Sequence, residues 1–210
     1  MLLWINGPFG GGKTHTAAEL HRRLAGSVIC DPEHVGFGLH RMLPRQLRGD
    51  FQDLAAWRHG AFEVLDLVLR RYDGHVIAPM TVVEPRYFDE TVGRLRERGH
   101  DVRHFALLAD RETVLRRLRQ RSVVHAALRA LGRDAPPYGD SFAVSRLDLC
   151  LDRLRDPRFA VQLATDQLTI PQVADQIAAA AGLTLRPNTD SALRGRLRWL
   201  SIGVRHIRLG

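Results

Sequence analysis

Leu2-Leu3-Trp4-Ile5 is apolar at every position and runs into a glycine-rich turn. That pattern predicts a strand buried on both faces, as in a parallel sheet. After Thr14, the apolar positions Ala17, Ala18, Leu20 and Leu24 mark one face of a helix ending near Gly26. Ser27 to Cys30 reads as a second strand, closed where Asp31-Pro32 turns the chain away. From Glu33 to Tyr72 the spacing is helical, broken around Pro44 and Gly49-Asp50, with Phe62, Leu65, Val68 and Leu69 as its clearest stripe. His75 to Met80 predicts a third strand, 87–98 a helix ended by Gly99, and Val102 to Leu108 a fourth strand. Residues 111–120 form a helix with Val114, Leu115 and Leu118 inward. Residues 122–143, with Gly132, Pro136-Pro137 and Gly139, read as irregular. A helix over 144–154, a strand over 161–164 and a helix over 170–181 stopped by Gly182 complete the pattern.

Strands alternating with helices predict an α/β three-layer sandwich around a five-stranded parallel sheet, with right-handed crossovers. Residues 1–186 are expected to form that body. Residues 187–210 form a separate segment behind the hinge Pro187-Asn188-Thr189-Asp190. With 210 residues, 45% apolar and 26% charged, the chain can bury a core. Its net charge of +8 points to acidic partners: nucleotide phosphates, nucleic acid or an anionic membrane. Nearly all of the positive charge is arginine, since Lys13 is the only lysine. Two cysteines, Cys30 and Cys150, make neither a disulfide framework nor a metal-binding spacing. No run of eighteen apolar residues and no signal-peptide pattern occurs, so the body is expected in the cytoplasm.

The turn after the first strand is Gly7-Pro-Phe-Gly-Gly-Gly-Lys13-Thr14. Gly-x-x-x-x-Gly-Lys-Thr between a strand and a helix is a phosphate-binding loop. Gly7, Gly10, Gly11 and Gly12 let successive N–H groups turn toward phosphate oxygens, and the helix adds its positive end. Lys13 is placed for the β- and γ-phosphates, and Thr14 for Mg²⁺, with Phe9 and His15 in the same cradle. Lysine suits that cradle better than a planar guanidinium, which explains why the single lysine stands here. ATP and Mg²⁺ are the expected cofactors.

A GTPase needs a base-reading Asn-Lys-x-Asp element, which a chain with one lysine cannot supply. A motor ATPase carries Asp or Asp-Glu at the end of an apolar strand, whereas the third strand ends Ala78-Pro79-Met80-Thr81. There remains a nucleoside-monophosphate-kinase-like plan, with an acidic residue after the second strand facing the acceptor hydroxyl. Asp31 stands there, with Glu33 nearby. Asp31 also suits a turn aspartate before Pro32, and Glu33 a first-turn helix residue. Arg117 and Arg121 share a helix face while Arg119 points elsewhere unless the helix has ended. They read either as groups that neutralise the transferred phosphoryl or as a solvated basic face. Residues 122–143 are the candidate lid.

Those residues, together with others, resemble the ATP-binding tunicamycin-resistance proteins of bacteria. The resemblance is carried by Trp4 to Thr14, Glu19-Leu-His-Arg-Arg23, Asp31-Pro-Glu33 and Gly36-Phe37. It continues through Phe51-Gln52, Trp57-Arg58, Pro79-Met-Thr-Val-Val83, Tyr87-Phe88 and Gly93-Arg-Leu-Arg96. Farther on come His104-Phe105, Arg117-Leu-Arg-Gln-Arg121, Thr165-Asp166 and His206-Ile-Arg208. The segment 122–143 is longer than the lid usual in that family, so no lid residue is carried over. The resemblance implies ATP-dependent resistance to tunicamycin, a lipid-tailed nucleoside antibiotic. It places Thr165 and Asp166 at the nucleotide and Asp31, Glu33, Phe37, Gln52, Trp57, Arg58, Met80 and Thr81 at the acceptor. The plan is also similar to chloramphenicol phosphotransferases, which implies resistance by phosphorylation. Sequestration of the drug without modification, or phosphorylation of another small metabolite, stays open.

Residues 191–208 carry Arg194, Arg196, Arg198, Arg205 and Arg208 and no acid. Leu193, Leu197, Leu200, Val204 and Ile207 recur at helical spacing, and Trp199 and Ile202 widen the apolar side. A basic amphipathic helix with tryptophan predicts contact with an anionic membrane surface, which the resemblance also favours. The alternative is an ordinary last helix packed on the sheet. Nucleic acid fits less well, because no aromatic stacking platform accompanies the charge.

Overall fold

β1 (Leu2–Asn6) is buried at all five positions because helices cover both faces of the sheet it centres. It pairs in parallel with β3 (His75–Pro79) on one side and β4 (Val102–Leu108) on the other. β2 (Ser27–Ile29) and β5 (Val161–Ala164) pair in parallel at the edges, so the order is β2-β3-β1-β4-β5. The structure, a computed structural model, describes residues 1–130, 139–158 and 161–191; the side chains of 123–130 and 139–141 are outside that description.

Alternation along the strands divides the core in two. Leu2, Trp4, Val76, Ala78, Val102 and Ala106 face α3 (Ala55–Arg71) and the helical run 85–97, packing on Trp57, Phe62, Leu65, Val92 and Leu95. Leu3, Ile5, Ile77, Phe105 and Leu107 face α1 (Lys13–Arg23) and α9 (Ile170–Ala180), meeting Ala17, Leu20, Val173 and Ile177. This is the expected three-layer sandwich with a five-stranded parallel sheet.

The helix expected over 87–98 is present as α4 (Pro85–Phe88), a π turn (Asp89–Gly93) and α5 (Arg94–Glu97). The Thr91 hydroxyl donates to Tyr87 O at 2.7 Å, taking a carbonyl that the helix ladder would otherwise use. α2 (Glu33–Met42) and two short 3₁₀ turns fill the interval before α3.

α6 (Arg111–Ala130) runs ten residues beyond the end expected at Gln120. Residues 121–130 contain neither glycine nor proline, and alanine, leucine and arginine sustain the helix up to the first breaker at Gly132. α7 (Gly139–Ser145) and α8 (Leu147–Arg153) then take the place of the single helix expected over 144–154. Of the candidate lid, 131–138 lie outside the described residues, as does 192–210 of the expected amphipathic tail. α6, α7 and α8 share a third core of Ala109, Val114, Leu118, Ala143, Leu147 and Leu151, with Phe9 of the phosphate loop packed against it. No helix among the described residues is long and apolar enough to cross a membrane.

After β1 the chain moves to the edge strand β2, and after β3 it crosses to β4 on the other side. The direction of winding reverses at β1, which opens a crevice at the carboxyl ends of the strands.

Candidate active site

The phosphate loop occupies that crevice. Gly10 (φ 76°) and Gly12 (φ 92°) hold left-handed backbone, which a side chain would strain. A Cβ on Gly11 would lie 2.8 Å from Pro8 O, the acceptor of the Gly11 N–H that closes the loop. α1 is capped by Gly12 and has no acid in its first turn, so its positive end is left to an anion. Thr14 and His15 lie half-buried in that turn.

Asn6, a polar residue ending an apolar strand, anchors the loop from below. Fully buried, it donates to Val82 O at 2.7 Å and accepts from Gly7 N and Val82 N at 2.9 and 3.1 Å. Thr81, also buried, donates to Gly7 O at 2.7 Å. Met80 is buried beside it, its N–H bound to Ile5 O. The segments after β1 and β3 are therefore locked together where they leave the sheet. Sequence reasoning gave Asn6 no role; its signal was the amide itself, at the end of a run that tolerates no unpaired polar group.

Lys13 is only 7% exposed, donates to Pro8 O at 3.0 Å and stands 5.6 Å over the Phe9 ring. Burial lowers its pKa below the usual lysine value, opposed in turn by Glu33, by Cys150 and by Asp31, while Arg121 adds to the lowering. The field at the ammonium thus gathers groups from α2, α6 and α8. Asp31 accepts the Glu33 N–H at 2.9 Å, the turn role that its place before Pro32 also predicted. Cys150, 3% exposed on α8, had no sequence signal because it comes to Lys13 from 137 residues away.

Arg117 donates to Thr165 Oγ1 and O at 3.3 and 2.9 Å, and Thr165 itself is tied to Leu108 O. Asp166 accepts the Asp110 N–H at 2.7 Å, so this loop is stitched to the end of β4. Arg121 lies one turn farther on the same face of α6, whereas Arg119 is exposed because the helix continues through it.

The residues expected at the acceptor divide by burial. Phe37 and Gln52 are half-buried, Phe37 edge-on to Phe51 with centroids 6.2 Å apart. Trp57 is fully buried behind them and donates to Pro32 O at 3.0 Å, fixing the turn that carries Asp31. Arg58, 4% exposed, bonds Gln52 O at 2.6 Å and the Glu90 carboxylate, and lies 4.5 Å over the Tyr87 ring. Its guanidinium braces the 50–54 segment from beneath. Among the described residues, no group of three or more His, Cys, Asp or Glu could hold a metal ion.

A family profile described as an AAA domain matches residues 2–131. The tunicamycin resistance protein of Deinococcus radiodurans superposes with a TM-score of 0.70 and 33% identity, covering 89% of this chain and 99% of that one. A gluconokinase of Sinorhizobium meliloti gives a TM-score of 0.54 and 18% identity over 95% of this chain and 96% of its own. APS kinase of Mycobacterium tuberculosis, in complex with AMPPNP and APS, gives 0.52 and 15% over 86% and 96%. These last two show the fold alone. No curated protein sequence matches.

Proposed function

We propose, from the premise that this chain belongs to the AAA-domain family and with it to the tunicamycin resistance proteins, that it transfers the γ-phosphoryl group of ATP to a hydroxyl of tunicamycin or a similar nucleoside antibiotic. One observation carries the reading: the phosphate loop after β1 and the braced Asp31-Pro32-Glu33 turn after β2 both leave the same carboxyl edge of the parallel sheet. A triphosphate cradle with carboxylates facing it suits transfer to a hydroxyl.

The acceptor oxygen would form its bond to the γ-phosphorus as the bond to the β-bridging oxygen breaks, and its proton would pass to Asp31 or Glu33. Lys13 would hold the β- and γ-phosphates, and Arg121 would offset charge on the moving phosphoryl group. Arg117 would act through Thr165, fixing the loop of Thr165 and Asp166 where the nucleotide base is expected. Arg119 is left out of this scheme because it is exposed. Thr14, together with phosphate oxygens and water, would hold Mg²⁺, which supplies charge neutralisation between the β- and γ-phosphates. Phe37 and Gln52 would border the acceptor, with Trp57, Arg58 and Met80 behind them and Thr81 holding the phosphate loop from below. The tail 191–208 would touch an anionic membrane surface from the cytoplasmic side.

Mass spectrometry of tunicamycin incubated with protein and Mg-ATP is the test. A gain of one phosphate that depends on Lys13 supports transfer; recovery of unmodified drug only sinks it. A second reading, ATP-dependent binding of the drug without chemistry, rests on the same phosphate loop and the same relative. That reading predicts one drug molecule protected per protein, and turnover at low protein concentration rules it out.

A further inference from the structure

The two most exposed large apolar side chains of the described residues are Met42, 82% exposed, and Leu47, 65% exposed; the next is at 45%. They stand in one short loop where α2 ends. Arg41, Arg45 and Arg48 are exposed in the same stretch, and no acid occurs between Glu33 and Asp50. The loop has its own internal bracing. Leu47 N bonds Pro44 O at 2.9 Å, Arg48 N bonds Arg45 O at 3.2 Å, and the Arg48 Nε donates to Leu43 O at 2.9 Å. The backbone after α2 is therefore held in a 3₁₀ turn that presents Leu47 outward, while Met42 stands exposed at the last position of α2.

We propose that the loop 41–48 is a membrane-contact surface, inserting Met42 and Leu47 into the headgroup region of an anionic bilayer while Arg41, Arg45 and Arg48 meet lipid phosphates.

The chemistry excludes the other occupants. A second copy of this chain would bring the same arginines face to face, in a protein of net charge +8. A protein partner needs roughly 800 Å² from each side, more than a protruding eight-residue loop offers. Apolar tips flanked by arginines, in a stretch with no acid between Glu33 and Asp50, match a lipid interface, where each arginine strengthens partition about fivefold at low salt. The placement gives the contact a purpose. α2 starts just after Asp31, and the chain returns through Phe51 and Gln52 toward Trp57, whose indole holds Pro32. Docking here would set the acceptor side of the site at the lipid boundary.

The test uses the full chain and vesicles of phosphatidylcholine with or without phosphatidylglycerol. Met42→Asp combined with Leu47→Asp should weaken partition onto the anionic vesicles at least tenfold, and Arg45→Glu should weaken it with loss of part of the salt dependence. Met42→Cys, labelled with an environment-sensitive fluorophore in a Cys30→Ser background, should brighten and shift blue on anionic vesicles. The proposal is overturned if the parent protein ignores anionic vesicles or binds neutral ones equally. It is also overturned if the double variant partitions like the parent, or if the label at 42 does not respond while the protein binds. The label separates this loop from the tail, because a tail-only contact leaves position 42 in water. Neither Met42 nor Leu47 belongs to the phosphate site, so failure here leaves the phosphotransfer reading standing, and its failure leaves this one.

Discussion

Asn6 shows how much one amide can hold at the residue scale. Its side chain satisfies Gly7 N–H, Val82 N–H and Val82 O, all buried where the phosphate loop leaves the sheet. Asn6→Ala strands those three groups, and each unsatisfied buried group costs about 1–3 kcal/mol. The expected loss is therefore about 3 kcal/mol or more in urea unfolding, with the m-value unchanged and nucleotide affinity lowered in parallel. A loss under about 1 kcal/mol would mean that water replaces the amide and that the bridge does not organise the loop. The residues of the phosphate loop were legible in the sequence because their spacing is local. Trp57 and Arg58 were legible as important, but their burial was not: whether a side chain lines a pocket or supports one depends on what packs over it.

His104 illustrates the element scale. It lies on β4, 3% exposed, with its ring 4.9 Å from that of Phe88 in α4. Burial, with a lesser contribution from Arg96, pushes its pKa down to about 3. The native ring thus stays neutral while the unfolded ring takes a proton below about 6.5, so the group's stabilisation is complete above that pH and lost as pH falls toward 3. At pH 5.5 the loss from this one group is about 1.4 kcal/mol. His104→Leu should shrink the fall in unfolding free energy between pH 7 and 5.5 by about that amount; an unchanged fall would assign it to other groups. α6 carries the complementary lesson. Its extension to Ala130 follows from intrinsic propensity without a breaker, and the break expected after Gln120 placed the later glycines and prolines too early.

Across the whole molecule, the reversal of winding at β1 brings the ends of β1, β2, β3 and β5 to one rim. α8 reaches the same place from far along the chain, bringing Cys150 into the field of Lys13. A ligand bridging these elements should stabilise the entire fold. Mg-ATP at about a hundred times its dissociation constant should add about 2.7 kcal/mol and raise Tm by about 5–10 °C. Lys13→Met should abolish the shift while folding normally. A shift that survives in that variant would place nucleotide binding elsewhere.

The strand and helix order, the phosphate loop and the lone lysine within it are properties of the sequence by itself, because they rest on periodicity and spacing over fewer than twenty residues. The tertiary structure alone decided that Asn6 ties the phosphate loop to the segment after β3 and that Arg119 points to solvent. It alone decided that Arg58 is a brace, and that Met42 and Leu47 stand uncovered. The reason is physical. Burial and electrostatic fields depend on distances between segments remote in the chain, and those distances are set by packing across the sheet and not by the spacing of residues along it.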